Sequence, residues 1–279
     1  MILVTGATGS IGRHLVRRLT ADGTPFRALV RDPARGDDLG CAHVTGDFDL
    51  PETLPPALDG VEQMFLNAGG AVPADGEQPM VRQQKAMIDA ARRAGVRRIV
   101  KVSVLGAREG GRLAQGAHWE IERHLAASGI PAAVLRPGGF MQNFRTGAGA
   151  FTADGDLLGA YGDGRVAYVD CRDIADCAAA LLHDPSRTGT FVLTGPEALT
   201  HDEIAAELSR AQGRTVRYVD LPPDEFAATL TRQGLPAAFA ADVAALFAEV
   251  AAGSQDTVTG TVRDLTGRPP RDFASFLAA

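Results

Sequence analysis

Glycines at positions 6, 9 and 12 carry the most chemistry in this chain. In Val4-Thr5-Gly6-Ala7-Thr8-Gly9-Ser10-Ile11-Gly12 they follow an apolar run, Ile2-Leu3-Val4, and open a segment with helical spacing at Ile11, Leu15 and Leu19. A strand–turn–helix of this kind aims unpaired N–H groups and the positive end of the helix dipole at the turn, so its natural ligand is a phosphate. Gly6 permits the tight turn, Gly9 lets the backbone approach a pyrophosphate, and Gly12 lets the helix pack against the strand. Thr8 and Ser10 add hydroxyl donors. The set expected to hold a dinucleotide is Gly6, Thr8, Gly9, Ser10, Ile11 and Gly12.

The end of the next strand selects the dinucleotide. A carboxylate there accepts from the ribose hydroxyls of NAD, whereas a cation matches the 2′-phosphate of NADP. The sequence reads Ala28-Leu29-Val30-Arg31-Asp32, which places Arg31 at that position, with Arg13 and Arg35 able to reach it. NADPH is therefore favoured. Asp32 keeps NADH open, because a shift of one residue would exchange the two roles.

With these features in place, the chain resembles the NmrA-like branch of the atypical short-chain dehydrogenases, which includes NAD(P)H:quinone oxidoreductases and isoflavone reductase-like enzymes. Beyond the glycine loop, the resemblance rests on Val30-Arg31-Asp32-Pro33, Gly46-Asp47-Phe48-Asp49, Val102-Ser103, His118-Trp119-Glu120-Ile121-Glu122 and Leu135-Arg136-Pro137-Gly138. It also draws on Val169-Asp170-Cys171-Arg172-Asp173-Ile174-Ala175 and Thr266-Gly267-Arg268-Pro269-Pro270, and it spans nearly the whole chain. The resemblance implies that Asp47 and Phe48 line the adenine pocket and that Asn67, Ala68 and Gly69 pass along the ribose near the nicotinamide. Ser103, Pro137 and Gly138 would also border the cofactor, with Phe140 and Asn143 toward substrate.

One departure matters. Standard short-chain dehydrogenases use a tyrosine and a lysine four residues later to deliver a proton. The tyrosines here are Tyr161, Tyr168 and Tyr218, the lysines are Lys85 and Lys101, and no such spacing occurs. The resemblance offers His118 instead, because isoflavone reductase-like enzymes carry a lysine at the start of the corresponding helix. His118 and Glu122 are four apart and share a helix face, so Glu122 is expected to orient the imidazole or raise its pKa, giving a general acid near neutrality. The catalytic pair expected is His118 and Glu122. Without the tyrosine and lysine, a quinone, an enone or a conjugated aromatic ketone is a better hydride acceptor than a simple ketone. Two other readings stand beside this one: a non-catalytic NADP(H)-sensing regulator of the NmrA type, and a tailoring enzyme of aromatic polyketide biosynthesis.

These residues need a scaffold. Short apolar runs at 2–4, 26–30, 42–45, 63–66, 98–104 and 132–135 alternate with helical patterns, including 80–94 and 118–128. The alternation predicts an α/β fold, a Rossmann-type doubly wound parallel sheet. After about Pro137 the pattern changes to a glycine-rich stretch at 138–164 and mixed elements, read as a smaller C-terminal α+β substrate lobe. The expected division is a dinucleotide-binding domain at 1–137 and a substrate lobe at 138–279, together one compact unit. Thr200-His201-Asp202-Glu203 fits a capping box, and the histidines other than His118 are read as surface or capping residues. The net charge of −6 argues against nucleic acid as a partner. Three cysteines without a CxxC indicate neither disulfides nor zinc, and no metal site is expected. The first strand starts at about Ile2, and no apolar run is long enough to span a membrane. A cytoplasmic protein without a signal peptide or membrane partner is expected, acting on an aromatic or quinone-like small molecule, with homo-oligomerisation left open.

Overall fold

A computed structural model describes residues 1–74, 76–146 and 151–279. In chain order the elements begin β1 (Ile2–Val4), α1 (Ser10–Ala21), β2 (Phe26–Val30), α2 (Pro33–Asp37), β3 (His43–Thr45), α3 (Leu54–Ala57), β4 (Gln63–Leu66) and α4 (Pro79–Arg93). There follow β5 (Arg98–Val102), α5 (Ala114–Ala127), β6 (Ala132–Pro137), α6 (Asn143–Thr146), β7 (Leu157–Gly159), α7 (Cys171–His183) and β8 (Gly189–Leu193). The chain ends with α8 (His201–Gln212), β9 (Tyr218–Asp220), α9 (Pro223–Arg232), α10 (Ala237–Ala251), α11 (Thr261–Thr266) and α12 (Phe273–Ala278). Among the described residues, no helix is long and apolar enough to cross a membrane.

The apolar runs form a seven-stranded sheet in the order β3-β2-β1-β4-β5-β6-β8. Strands β1 to β6 are mutually parallel, with Val4 level with Ala28 on one side and Phe65 on the other. Leu3, Val4, Met64, Phe65, Leu66, Ile99 and Val100 are fully buried. Helices covering both faces of a parallel sheet explain why these strands are continuously apolar rather than alternating. The strand order reverses beside β1, and a doubly wound sheet opens a crevice for its ligand at such a point, beyond the C-terminal strand ends.

Two boundaries that bear on the site differ from the sequence reading. Strand β5 ends at Val102, and α5 starts at Ala114 instead of 118. No side chain caps α5, and it is entered through Leu113 at φ 48, so nothing in the local sequence announces its first turn. His118 therefore sits in the second turn.

The chain divides into two units. The first comprises Met1–Pro137, Cys171–Val192 and Leu265–Gly267. Within it α7 packs on α1, tied by Arg18 to Asp176 at 3.5 Å and by a bond between Thr24 and His183 at 2.9 Å. The second comprises Gly138–Asp170, Leu193–Asp264 and Arg268–Ala279. There β7 and β9 form a parallel pair with Leu157 level with Tyr218. Residues 147–150 of the glycine-rich stretch lie outside the described residues. Thr200 and Glu203 cap α8 reciprocally, as the capping box predicts. His201 is not a surface residue: it is 3 % exposed, stacks on Tyr161 at 3.6 Å and meets the Tyr168 hydroxyl at 3.1 Å through Nε2. Burial lowers its pKa from 6.5 to about 4. The helix start was legible, but the aromatic neighbours come from distant segments.

Candidate cofactor and active site

The turn after β1 is built for close backbone approach. Gly6 stands at φ +62, and a Cβ there would meet the Asn67 carbonyl oxygen at 2.9 Å. At Gly12 a Cβ would lie 2.1 Å from the Gly6 oxygen, so only glycine lets α1 sit on the turn. Gly9 is different: it is exposed, and a Cβ there would touch only the Gly6 oxygen, at 3.3 Å, so the space beside the start of the helix is open. Helix α1 has no side-chain cap and no acid in its first turn. The N–H groups of Ser10, Ile11 and Gly12 find no acceptor among the described residues. In contrast, α8 satisfies its own N-terminus with Thr200 and Glu203. Three convergent amides at an open helix end form an anion cradle, and this one fits a dinucleotide pyrophosphate. Thr8 is half-buried, and its carbonyl accepts from Arg13 Nε at 2.9 Å, which draws that guanidinium to the loop.

Past β2 the two competing side chains have separated. Asp32 caps α2, its Oδ1 accepting from the Ala34 N–H at 3.0 Å, with Pro33 at the first helical position. Arg31 is exposed and makes no side-chain hydrogen bond among the described residues. The nearby Asp49 is held by Arg82 at 2.7 Å and Gln83 at 2.8 Å. The carboxylate is thus engaged and the cation is available, an arrangement suited to a 2′-phosphate.

Of the remaining cofactor candidates, all but Gly138 fall at or just past strand ends of the first unit. Asp47 is half-buried; its N–H donates to Thr53 Oγ1 at 2.9 Å and its Oδ1 accepts from the Asp49 N–H at 3.0 Å. Phe48 is half-buried and packs against the core under α3 and α4. Asn67, at the end of β4, is pinned to β1: its carbonyl accepts from Thr5 Oγ1 at 2.7 Å and its N–H donates back at 2.9 Å. Ala68 is half-buried and Gly69 is exposed. Pro137 is buried at the end of β6; Gly138, Phe140 and Asn143 belong to the second unit. There Phe140 bridges to Val169, and the Asn143 N–H donates to the Phe140 carbonyl at 3.1 Å.

The expected pairing of His118 with Glu122 does not form. Glu122 accepts from Arg136 through Nε at 3.1 Å and Nη2 at 2.6 Å, and from the Ser103 hydroxyl. A bidentate guanidinium outcompetes an imidazole for a carboxylate, so sharing a helix face does not decide the partner. His118 turns instead to Lys101, which is fully buried on β5. Its Nζ lies 2.8 Å from His118 Nδ1 and donates to the Val102 carbonyl at 3.0 Å. Burial, reinforced by Lys101, lowers the pKa of His118 from 6.5 to about 2. Burial lowers that of Lys101 from 10.5 to about 7, with Glu122 favouring the ammonium and Arg136 opposing it. The general acid near neutrality expected of His118 is thereby corrected: its imidazole stays neutral. Sequence reasoning used Lys101 only to note a missing pair. Its signal was a lysine inside an otherwise apolar strand, Ile99-Val100-Lys101-Val102.

Comparison with known proteins places the chain in a family. The family model described as the NmrA-like family matches residues 1–265. The chain is 37 % identical to an NAD(P)H azoreductase of Xenophilus azovorans, the match covering 100 % of this chain and 97 % of the relative. It is 36 % identical to a (4-alkanoyl-5-oxo-2,5-dihydrofuran-3-yl)methyl phosphate reductase of Streptomyces griseus, again over 100 % of this chain and 97 % of the relative. Among solved structures, an NADPH-dependent quinone oxidoreductase of Escherichia coli in complex with NADPH superposes with a TM-score of 0.85. That structure is 32 % identical, with 100 % and 99 % of the two chains covered.

Proposed function

The chain belongs to the NmrA-like family, and on that premise we propose that it is an NADPH-dependent reductase of a quinone, an enone or another conjugated acceptor. It is an NAD(P)H-dependent oxidoreductase, as are the azoreductase and the quinone oxidoreductase to which it is similar over the full length. The observation that carries the reading is the uncapped first turn of α1, with its three free amides beside the open space at Gly9. These amides would hold the pyrophosphate, and Arg31 the 2′-phosphate. The bound cofactor supplies a hydride, and the protein supplies orientation and electrostatics.

The acceptor class follows from the chemistry of the donors. A quinone, an azo bond and an unsaturated lactone each take hydride at one end of a π system and collect negative charge on a heteroatom at the other. A neutral hydrogen-bond donor suffices for such a delocalised anion, whereas a simple ketone needs stronger acid help. His118 offers that donor at Nε2. Purified protein with NADPH, offered a panel of quinones, enones and azo dyes, should show acceptor-dependent loss of NADPH absorbance. No loss with any member of the panel would overturn the proposal.

A further inference from the structure

Lys101 is fully buried, and among the described residues no carboxylate bonds its ammonium. Its Nζ reaches the Val102 carbonyl and His118 Nδ1, while Glu122 is committed to Ser103 and Arg136. An ammonium can only donate. While Lys101 is charged, Nδ1 must accept, so the imidazole carries its proton on Nε2. Nε2 has no partner among the described residues, and His118 keeps 7 % exposure, so this edge is the one that a bound molecule can meet. A ring this reluctant to become imidazolium cannot deliver a proton by itself near neutrality. It can if a second proton arrives as the first leaves.

Resting on the reductase reading, we propose that Lys101 and His118 form a proton relay, in which His118 Nε2 protonates the reduced acceptor while Lys101 Nζ supplies Nδ1. The acceptor gains two electrons with the hydride, and its heteroatom anion takes the Nε2 proton. The Nε2–H bond breaks as Nδ1–H forms, and the lysine becomes a neutral amine. The imidazole stays neutral throughout and changes only its tautomer. A solvent proton entering at Nε2 returns the Nδ1 proton to Nζ and resets the pair. The charged groups acting on Lys101 are Glu122 of α5, which favours the ammonium, and Arg136 of β6, which disfavours it. With burial they hold its pKa at about 7, and a proton donor is most effective when its pKa lies near the working pH, here taken as neutral. The relay takes the place of the absent tyrosine and lysine spacing.

Two measurements test this on the full-length protein. Nitrogen-15 NMR of labelled histidine, with the His118 signal identified by its loss in His118→Gln, reads the tautomer without cofactor. A neutral ring with bare Nδ1 and protonated Nε2 at pH about 6 is expected; an imidazolium or an Nδ1–H ring there overturns the relay. The second compares a quinone, which needs hydride and proton, with a cationic triarylmethane dye, which is neutralised by hydride alone. In Lys101→Met, kcat with the quinone should fall roughly 100-fold or more, far more than with the dye, and the wild-type fall in rate above about pH 7 should vanish. Lys101→Arg holds a charge but does not release its proton, so it should share the quinone defect while preserving the packing. Equal losses on both acceptors, or none on either, overturn the relay alone. A wild-type protein that reduces neither acceptor overturns the reductase reading and the relay with it.

Discussion

Replacing Gly9 by alanine separates ligand binding from folding. The residue stands at φ −81 and ψ 176, a conformation open to any amino acid. The new Cβ would touch only the Gly6 oxygen, at 3.3 Å, which a shift of a few tenths of an ångström relieves. Loss of a glycine from the unfolded chain gives back roughly 0.4–1 kcal/mol, so stability should change by no more than about 1 kcal/mol. The methyl group, however, would occupy the open space beside the Ser10, Ile11 and Gly12 amides. Each charge-assisted hydrogen bond lost there costs roughly 1.5–3 kcal/mol, or about 10- to 150-fold in affinity. NADPH fluorescence titration should show that weakening, while urea denaturation stays near wild type. Gly12→Ala is the contrasting control: its Cβ would fall 2.1 Å from the Gly6 oxygen and 2.6 Å from Ala7 Cα, so it should lose about 1–3 kcal/mol or more of stability. A folded Gly9→Ala protein with unchanged NADPH affinity would refute the assignment of the pyrophosphate to this loop.

Three further outcomes are expected. Arg31→Ala should weaken NADPH roughly 10- to 100-fold and leave NADH nearly unchanged; parallel losses in titrations of both cofactors would remove Arg31 from the 2′-phosphate site. Glu122→Ala leaves Arg136 without its bidentate partner and frees the Ser103 hydroxyl. It should cost roughly 2–4 kcal/mol in denaturant melts, and a loss below about 1 kcal/mol would contradict that role. His201 is neutral in the fold because burial lowers its pKa from 6.5 to about 4. Above pH 6.5 neither state binds its proton; as pH falls from 6.5 to about 4 the unfolded chain takes one that the folded chain refuses. Stability is lost across that window, by about 3 kcal/mol. His201→Phe should flatten this part of the pH–stability curve, and an unchanged slope would clear His201.

The sequence was most informative where one local segment decides the outcome. The loop from Gly6 to Gly12 and the parallel strands each follow from a few neighbouring residues: glycine where a Cβ would collide, apolar runs where both sheet faces are covered. The pairing of the candidate catalytic residues was not local. Spacing placed His118 beside Glu122 on one helix face, but the partners that win, Arg136 and Ser103 for Glu122 and Lys101 for His118, come from β6 and from β5 and its end. Spacing tells which groups can meet; the strength of the competing donors tells which do. Asp32 and Arg31 illustrate the same point, because the helix cap that commits Asp32 belongs to a short helix, α2, that the hydrophobic pattern does not register.

The path of the chain through the first unit bears on how the protein is made. A nascent chain released from the ribosome as far as Pro137 has all the candidate dinucleotide loops of that unit, yet α1 still lacks α7 and β6 still lacks β8. The exposed apolar face of α1, with Leu15 and Leu19 wholly buried in the finished fold, has to wait until residues 171–192 have been synthesised. At roughly 5–20 residues per second, that is a delay of several seconds in which the half-built sheet edge is unprotected. The nucleotide-binding half is therefore not a cassette that gene fusion could lift out at Pro137, and any working transplant has to carry the later helix and strand with it.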